Sequence, residues 1–294
     1  MARILGIGEM LWDEFPDGRR PGGAAANFAY HAGLLDAEAA VITRVGDDQD
    51  GRDLVAEMEA AGLDTSLIQT DPEHPTGVVN VTLQDGQPEY DIAAAAWDHI
   101  EATPEVLSAC ESADAVCFSS LAQRNESSKA AILQCVAAAE KALKVFDVNL
   151  RQDFYSAEIL EESLKLTDVV KLNGDEVKVI AGMFGLPNGP AEFAAAAAER
   201  FGLKTVCVTR GGDGCLLWEN GETADVEGID VELVDAVGAG DAFTAALIVT
   251  TLEGYDLATR GEIANAVGAL VASFAGAMPD IRPELEAMFG DEEE

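Results

Sequence analysis

The sequence predicts an α/β fold in which helices cover a mostly parallel central sheet, and three observations support this. The chain has 294 residues, which is the length of one large domain with a small accessory part. Hydrophobic residues make up 48% and charged residues 24%, close to the globular average, which argues against disorder. Short apolar runs alternate with alanine-rich segments of helix length, as parallel strands alternate with crossover helices.

The first part of the chain begins with this alternation and then departs from it. Its predicted elements are strands at 3–8 and 39–45 and helices at 24–35 and 50–61, the second helix with Gly62 at its end as a C-cap. Residues 76–83 and 87–94 then alternate around Asp85-Gly86, a strong signal for a two-residue hairpin turn. An antiparallel hairpin within a βαβ series predicts a flap or a small second sheet.

After the hairpin the α/β alternation resumes. The predicted strands are 115–119, 144–148, 169–172, 205–209 and 215–219, with a glycine turn, Gly211-Gly212-Asp213-Gly214, before the last of them. The predicted helices are 127–142, 156–165, 191–201, 239–252 and 260–274. No internal repeat or proline-rich linker divides this order, which favours a single domain.

The unusual feature of the composition is charge. Against 54 Asp and Glu the chain has only 18 Lys and Arg, which gives a net charge of −36 and a sequence pI of about 4.1. Nucleic acid is excluded as a partner class, because its binding needs a basic surface. The carboxylates are spread along the chain, which contains only 7 Lys. This pattern favours adaptation to a salty cytoplasm, and the alternative is a merely acidic mesophilic protein.

Cysteine, histidine and hydropathy patterns place the chain in the cytoplasm. The five cysteines form no C-x-x-C pair and are odd in number, which fits reduced thiols. We expect no secretory signal and no membrane-spanning segment, because neither an h-region nor a run of about 18 apolar residues occurs. Three isolated histidines make a zinc or di-metal hydrolase improbable.

One motif directly precedes the apolar helix at 239–252. It reads Asp235-Ala-Val-Gly-Ala-Gly-Asp241, and its glycines let the amides of Gly238, Ala239 and Gly240 converge at a helix N-terminus. Such a terminus favours an anion. Asp241 in the first turn is then placed to take a proton from a hydroxyl that attacks phosphorus. The alternative is a glycine-rich turn capped by Asp, and a Walker A loop is excluded because no Lys-Ser or Lys-Thr follows.

A second glycine motif lies near the start of the chain. Gly22 and Gly23 stand at a helix start, followed by Asn27, whose amide can donate to and accept from a polyol hydroxyl. Asp13 follows the first predicted strand, at the carboxyl end where open α/β sheets bind ligands. An ordinary loop-to-helix turn and an Asx turn explain these residues equally well.

From residue 8 to 281 the sequence resembles the ribokinase-like, or PfkB, carbohydrate kinases. The first family signature is similar to the Gly22-Gly23 and Asn27 motif, continued by Arg44-Val-Gly-Asp-Asp-Gln-Asp-Gly51, and the second is similar to Asp235 to Asp241. Between them, Asn173-Gly-Asp-Glu176 resembles the N-x-x-E motif. Thr209-Arg-Gly211-Gly-Asp-Gly214 resembles the nucleotide-binding strand-turn-strand.

The resemblance implies a three-layer ribokinase-like sandwich over 1–294, with a small β-sheet lid formed from about 10–22 and 74–98. It implies ATP-dependent phosphorylation of a sugar hydroxyl with Mg²⁺. By position, Asp241 is the base and Gly238, Ala239 and Gly240 form the anion hole; Asp13, Gly22, Gly23, Asn27 and Arg151 hold the sugar. The nucleotide-binding positions are Asn173, Glu176, Thr209, Gly211, Gly214 and Asn265, of which Glu176 orients a water on Mg²⁺. Related enzymes often hold a monovalent cation such as K⁺, here beside Asp235, and a homodimer through the lid is a further expectation.

Three motifs look most like fructokinase-type members: Gly8-Glu9 with Trp12-Asp13, Tyr90 with Ala96-Trp97-Asp98, and Asp147-Val-Asn-Leu-Arg151. A 2-keto-3-deoxygluconate kinase is the alternative, because Arg151 serves an acid-sugar carboxylate as readily as a phosphate. Ribose or nucleoside kinases and a catalytically silent sugar-binding protein are further alternatives. Ala236 stands where the second signature usually has Thr. For Trp12 and Trp97, core packing is favoured over sugar contact.

Overall fold

Two β-sheets organise the chain in the computed structural model, which describes residues 1–15, 18–84 and 87–289. In chain order the strands are β1 (Arg3–Ile7), β2 (Leu11–Phe15), β3 (Gly18–Gly22), β4 (Glu38–Gly46), β5 (Ile68–Asp71), β6 (Gly77–Gln84), β7 (Gln87–Ile92), β8 (Ala115–Ser119), β9 (Leu143–Asp147), β10 (Val169–Asn173), β11 (Thr205–Thr209), β12 (Cys215–Glu219) and β13 (Glu222–Val226). The helices are α1 (Ala24–Leu34), α2 (Gln49–Ala60), α3 (Pro104–Glu111), α4 (Glu126–Ala138), α5 (Ala157–Leu166), α6 (Gly174–Phe184), α7 (Pro190–Phe201), α8 (Ala239–Glu253), α9 (Leu257–Ala272) and α10 (Arg282–Phe289).

The larger sheet has the strand order β13-β12-β11-β10-β9-β8-β1-β4-β5 within the described ranges. From β5 to β11 all neighbours are parallel, and β12 and β13 add two antiparallel strands at one edge. Parallel strands need helical crossovers that return the chain to the same edge. The carboxyl ends of β8 to β11 therefore lie side by side.

Alternate residues of each strand face opposite layers of helices. In β8, Val116 and Phe118 belong to the apolar core that includes α3 to α7, whereas Cys117 belongs to the core that includes α1, α8 and α9. Because successive side chains of a strand point to opposite faces, this alternation buries both sides of the sheet. The three-layer ribokinase-like sandwich expected from the sequence is confirmed.

The smaller sheet has the order β3-β2-β6-β7. Strands β6 and β7 pair antiparallel, which confirms the predicted hairpin, although its Asp85-Gly86 turn lies outside the described residues. Trp12 of β2 is 2% exposed and donates its indole N–H to the Asp50 carbonyl, and Trp97 is 1% exposed. The core-packing interpretation of both tryptophans is therefore confirmed.

Helix boundaries differ from the sequence prediction by three residues or more in two helices. Helix α4 ends at Ala138 rather than 142, because Ala139 leaves the helical region with ψ of 52°. Helix α9 begins three residues earlier than predicted, because the Asp256 carboxylate caps the amides of Ala258 and Thr259. The elements without a sequence prediction of their own are β2, β3, β5, β13, α3, α6 and α10.

The remaining expectations concern cysteines, histidines and membrane spans. All five cysteines are buried and unpaired. His31 is buried, and the rings of His74 and His99 stack with centroids 3.6 Å apart. Among the helices of the described ranges, none combines the length and apolar character that crossing a bilayer requires.

Candidate active site

The candidate site lies at the carboxyl edge of the larger sheet. Ser119, Asp147, Asn173 and Thr209 are the last residues of β8, β9, β10 and β11. The amino ends of α1 and α8 meet at this edge, since Asn27 of α1 contacts Asp241 of α8. Ligands of open α/β sheets bind outside the carboxyl ends of the strands. The structure thus brings both glycine motifs of the sequence to one place.

The amino end of α8 forms an anion hole. Gly238 is its N-cap, with φ of 79°, and a Cβ there would overlap the backbone of Ala277. Glycine is therefore required, both for the left-handed conformation and for the close approach. In the first turn that follows, the amides of Gly240 and Asp241 have no acceptor within the helix. The Ala239 amide, which the sequence analysis placed in the anion hole with those of Gly238 and Gly240, donates to the Ala236 carbonyl over a long 3.4 Å. The first turn thus presents N–H groups and the positive end of the helix dipole to an anion.

Asp241 is poised to exchange a proton near neutral pH. Its Oδ2 accepts a 2.7 Å hydrogen bond from Nδ2 of Asn27. Burial, followed by the nearby charge of Asp147, raises the pKa of Asp241 to about 7, against the opposing effects of Asn27, Lys171 and Arg151. A carboxylate with a pKa near the working pH is suited to general base catalysis.

Asp13 and Gly22 lie in contact across the β2–β3 pair. A Cβ at Gly22 would overlap the Asp13 carboxylate, so the absence of a side chain leaves room for that group. Burial raises the pKa of Asp13 to about 6, with Arg151 opposing and Asp235 reinforcing the shift. Arg151 is exposed and donates to its neighbour Leu150. The structure thus brings Asp13, Gly22 and Arg151 to the same region, because Arg151 acts on the Asp13 carboxylate.

Glu9 is a buried acid at this site to which the sequence analysis gave no role. It is 2% exposed, its Oε1 accepts from the Ala24 amide at 3.3 Å, and its Oε2 has no hydrogen-bond partner. Burial raises its pKa, which Arg151 opposes. The backbone of Glu9 would clash with any Cβ at Gly23. The signal in the sequence was an acid placed directly after a buried strand.

Asn173 and Glu176 form a reciprocal cap on α6. Asn173 Oδ1 accepts from the amides of Asp175 and Glu176, and Glu176 Oε2 accepts from the Asn173 amide at 2.8 Å. The other oxygen, Oε1, accepts from the Leu150 amide at 2.9 Å. Burial raises the pKa of Glu176. Both oxygens are engaged with the protein, and the role of Glu176 toward a magnesium-bound water stays a prediction.

The other nucleotide-binding candidates lie at the end of β11, in the turn between β11 and β12, and in α9. Thr209 ends β11, and the turn that follows contains Gly211 and Gly214, the latter packed against the backbone of Val226. Asn265 of α9 donates its side-chain amide to the Glu227 carbonyl at 3.1 Å. It thereby fixes the segment that leaves β13 toward the Asp235 motif. Direct contact of these residues with a nucleotide stays a prediction.

Asp235 joins the loop before α8 to the loop after α9. Its two oxygens accept from the amides of Val237 at 3.0 Å and Gly276 at 3.1 Å, and its own amide donates to the Ala272 carbonyl. This contact places residues 273–276 beside the Asp235 loop, where the resemblance implies a monovalent cation, and that cation site stays a prediction.

A second set of polar groups, which no sequence prediction included as a unit, lies beneath the anion hole. Lys171 of β10 contacts Asp147 of β9 through both carboxylate oxygens, at 3.1 and 3.2 Å, and Thr244 of α8 contacts the same carboxylate at 2.8 Å. The signal available in the sequence was a lysine within the apolar run of the strand at 169–172.

Comparisons with known proteins agree with this geometry. The pfkB family of carbohydrate kinases matches residues 17–284. A sugar kinase of Pyrococcus horikoshii is 32% identical over 298 residues, which cover 93% of this chain and 91% of that protein. Its crystal structure superposes with a TM-score of 0.85 over 97% of both chains. The fructokinase of Escherichia coli is 30% identical over 308 residues, covering 97% and 99%. A double-mutant fructokinase of Vibrio cholerae, bound to fructose, ADP and potassium, is 26% identical with a TM-score of 0.83 over 98% of both chains.

An α/β sandwich that carries an anion hole and a neighbouring carboxylate at the ends of its strands defines a class of phosphotransferase that uses an alcohol group as acceptor. The matching family model is that of carbohydrate kinases, and both relatives, which align over nearly their whole length, are named as kinases of sugars. This chain belongs to the pfkB family of carbohydrate kinases.

Proposed function

We propose that this enzyme transfers the γ-phosphoryl group of ATP to a hydroxyl of fructose or of a closely related neutral sugar. The single observation that carries this proposal is the hydrogen bond between Asn27 and Asp241 at the amino end of α8. It joins a polyol-binding amide, a base with a pKa of about 7, and an anion hole. Those are the three functions that phosphorylation of an alcohol requires.

Asp241 and the α8 amides divide the chemical step. The sugar hydroxyl oxygen bonds to the γ-phosphorus, its proton passes to Asp241, and the bond from phosphorus to the β–γ bridging oxygen breaks to release ADP. The amides of Gly238, Ala239 and Gly240 hold the transferred oxygens. Bound Mg²⁺ supplies neutralisation of phosphate charge. Asp13, Gly22, Gly23 and Asn27 orient the sugar so that one hydroxyl faces Asp241.

A neutral acceptor fits the charges on the sugar side of the site. Glu9, Asp13 and Asp241 all lie close enough to Arg151 to interact with its charge. Three acids around one cation disfavour a second anion. The E. coli and V. cholerae relatives are named fructokinases, which supports fructose as the acceptor. A 2-keto-3-deoxygluconate kinase is the second candidate, because the exposed Arg151 guanidinium is available to a carboxylate.

The remaining assignments rest on the same site. The small sheet, with residues of about 10–22 and 74–98, acts as a lid that excludes water, and its open edge is a candidate dimer contact. Glu176 would orient a water of the Mg²⁺ that neutralises the ATP phosphates. The nucleotide would lie among Asn173, Thr209, Gly211, Gly214 and Asn265. K⁺ fits the loop held by Asp235, where two amides fix the carboxylate. An enzyme that consumes ATP in this way works in the cytoplasm.

A panel of sugars assayed for ADP formation tests the proposal. Fructose, ribose, adenosine and 2-keto-3-deoxygluconate are each supplied with ATP and Mg²⁺, at low and at molar KCl. We expect the highest kcat/KM with fructose and a loss of about 10² to 10⁴ in kcat in Asp241→Asn, without a matching loss of ATP binding. Highest activity with 2-keto-3-deoxygluconate supports the second candidate, and no sugar-dependent ADP formation refutes both.

A further inference from the structure

Lys171 is a charged residue inside the fold. It lies in β10 between Val170 and Leu172, and only 8% of it is exposed. A buried ammonium without compensation is costly, so such a residue needs specific partners. The nucleotide and sugar assignments above do not use it.

The partner of Lys171 is the last residue of the neighbouring strand. Its Nζ lies 3.1 and 3.2 Å from the two oxygens of Asp147, the residue opposite it in the β9–β10 pair. Thr244 Oγ1 lies 2.8 Å from Asp147 and 2.9 Å from the Gly240 carbonyl, two acceptors that share its one proton. The ion pair is thereby connected to the first turn of α8.

The ammonium also lies directly against the anion hole. A Cβ at Gly240 would stand 3.1 Å from Lys171 Nζ, so the lysine packs beneath the second residue of α8. A cation near a helix N-terminus opposes the helix dipole, which makes this an unfavourable place for a lysine that only stabilises the fold. The placement becomes favourable when phosphate occupies the anion hole, because the positive charge of Lys171 then adds to the field of the amides.

Several charged or ionisable groups meet at this point. Asp241 of α8 is influenced by Asp147 of β9, by Lys171 of β10 and by Arg151 after β9, while its charge in turn raises the pKa of the Cys117 thiol of β8. Lys171 is influenced by Asp147, Asp241 and Glu176 of α6. The positive charge of Lys171 lowers the pKa of Asp241, and the negative charge of Asp147 raises it. The two members of the ion pair thus act on Asp241 in opposite directions.

We propose that Lys171 is a positioning residue for phosphoryl transfer: its ammonium, paired with Asp147 and seated beneath Gly240, keeps the amino end of α8 electropositive and the Asp241 carboxylate ionised. The inference rests on the proposed function, because it assigns Asp241 the role of base. If the ion pair served only to join β9 to β10, it would have no reason to lie where it changes the proton affinity of Asp241.

The test compares the acid limbs of kcat against pH. Lys171→Met removes the charge with similar length, and we expect the acid limb to move up by about one pH unit, with activity recovering at alkaline pH. Asp147→Asn is expected to move it down. The double variant buries no unpaired charge, and its acid limb is expected between the limbs of the two single variants. It keeps the test valid where a single variant fails to fold. Lys178→Met, at an exposed lysine of α6, is the matched control and should leave the limb unchanged.

A second measurement does not depend on catalysis. The difference in unfolding free energy between chains with and without Asp241→Asn, followed against pH, reports where Asp241 titrates in the folded protein. In the Lys171→Met background that transition is expected about one pH unit higher than with Lys171 present. Unshifted transitions and acid limbs in both single variants would overturn the proposal. If the wild-type protein phosphorylates no sugar but the transition moves, the proposed function fails while the electrostatic coupling stands.

Discussion

Asn27 and Asp241 stand 214 positions apart in the sequence and share a 2.7 Å hydrogen bond. The contact joins the amino ends of α1 and α8 across the sheet edge. It also brings the first glycine motif to the amino end of α8. Under the proposed function, an alcohol held by Asn27 would then face both the base and the phosphorus atom that it attacks. An amide donor suits this position because it stabilises the ionised carboxylate that the reaction needs.

Asp241→Asn is expected to stabilise the ligand-free protein at alkaline pH. The folded pKa of about 7 exceeds the ordinary value of 3.8, so the folded state binds the proton more tightly than the unfolded state. The cost of the buried charge is fully present above pH 7 and disappears as pH falls toward 4. We expect a gain of about 1–3 kcal/mol in the free energy of unfolding at pH 8, measured by urea titration, and almost none at pH 4.5.

Glu199→Gln removes an exposed carboxylate of α7 and serves as the control for that experiment. It should change stability by less than about 0.5 kcal/mol at either pH. An Asp241→Asn protein that is no more stable than the wild type at pH 8 would show that the site compensates the charge fully.

Gly22→Ala is expected to weaken sugar binding selectively. The new Cβ would overlap the Asp13 carboxylate and force it from its place. We expect the KM for sugar to rise at least about tenfold with little change in the KM for ATP, measured by steady-state kinetics. Gly182→Ala, at a helical glycine of α6 with open space around it, should alter neither constant. An equal rise in both KM values would contradict a role limited to the sugar.

Arg124 is expected to anchor the small sheet. It pairs with the buried Asp98, donates to the carbonyls of Ile92 and Ala93, and stacks on Trp97. Arg124→Met leaves Asp98 buried without its partner, at a cost of about 3 kcal/mol in the free energy of unfolding. Hydrogen exchange should also quicken in the amides of 77–84 and 87–98. Arg52→Met, which breaks an exposed ion pair with Asp47, is the control and should cost less than about 1 kcal/mol.

Sequence patterns were sufficient for the elements that are buried on both faces. The runs at 115–119 and 205–209 match β8 and β11 residue for residue, because an apolar strand between glycine and polar turns has few alternatives. Strand β3 was not predicted as a strand, because Gly-Arg-Arg-Pro-Gly has no apolar alternation. Its strand conformation depends on pairing with β2, a tertiary contact that local pattern does not encode.

The sequence predicted the parts of the site that are local in the chain, but not the contacts between residues far apart in it. Each glycine motif contains its own signal, since glycine before a helix and an acid in the first turn are close in sequence. The contacts of Lys171 with Asp147 and of Glu9 with the Ala24 amide depend on strand order and on the packing of α1, which spacing does not give. A charge inside an apolar strand indicates that such a contact exists without naming the partner.

His31 is expected to make the protein acid-sensitive. Burial lowers its pKa to about 4, and it holds the Ala277 carbonyl at 2.8 Å from Nε2, beside Gly238. Because the folded pKa lies below the ordinary value of 6.5, the unfolded state binds more protons between pH 6.5 and 4, and stability is lost as pH falls through that window. Relative to His31→Phe, the wild-type protein should lose about 3 kcal/mol between pH 7 and pH 4, measured by urea unfolding. A constant difference across that range would contradict the buried neutral state.

The last prediction concerns salt and follows from the net charge of −36 and the 7 lysines. At 0.01 M salt the Debye length is about 30 Å, so carboxylates across the whole surface repel one another. At 1 M the repulsion is confined to about 3 Å, and burial of the apolar cores dominates stability. We therefore expect the melting temperature and the specific activity to rise from low to molar KCl.

Three salt series separate screening from its alternatives. Screening depends on ionic strength, so KCl and NaCl should stabilise the protein alike, and sulfate should add only a moderate further effect, whereas salting-out would favour sulfate strongly. Occupation of the loop at Asp235 by K⁺ makes a different forecast: millimolar K⁺ would suffice, Na⁺ would substitute poorly, and Asp235→Asn would abolish the response. A neutral osmolyte at equal water activity is the control for stabilisation that arises because a solute is excluded from the protein surface. A melting temperature that stays flat from 0.01 to 1 M KCl would refute the salt adaptation. It would leave the kinase assignment untouched, because that assignment rests on the partly buried Asn27–Asp241 contact at the sheet edge and not on the net charge.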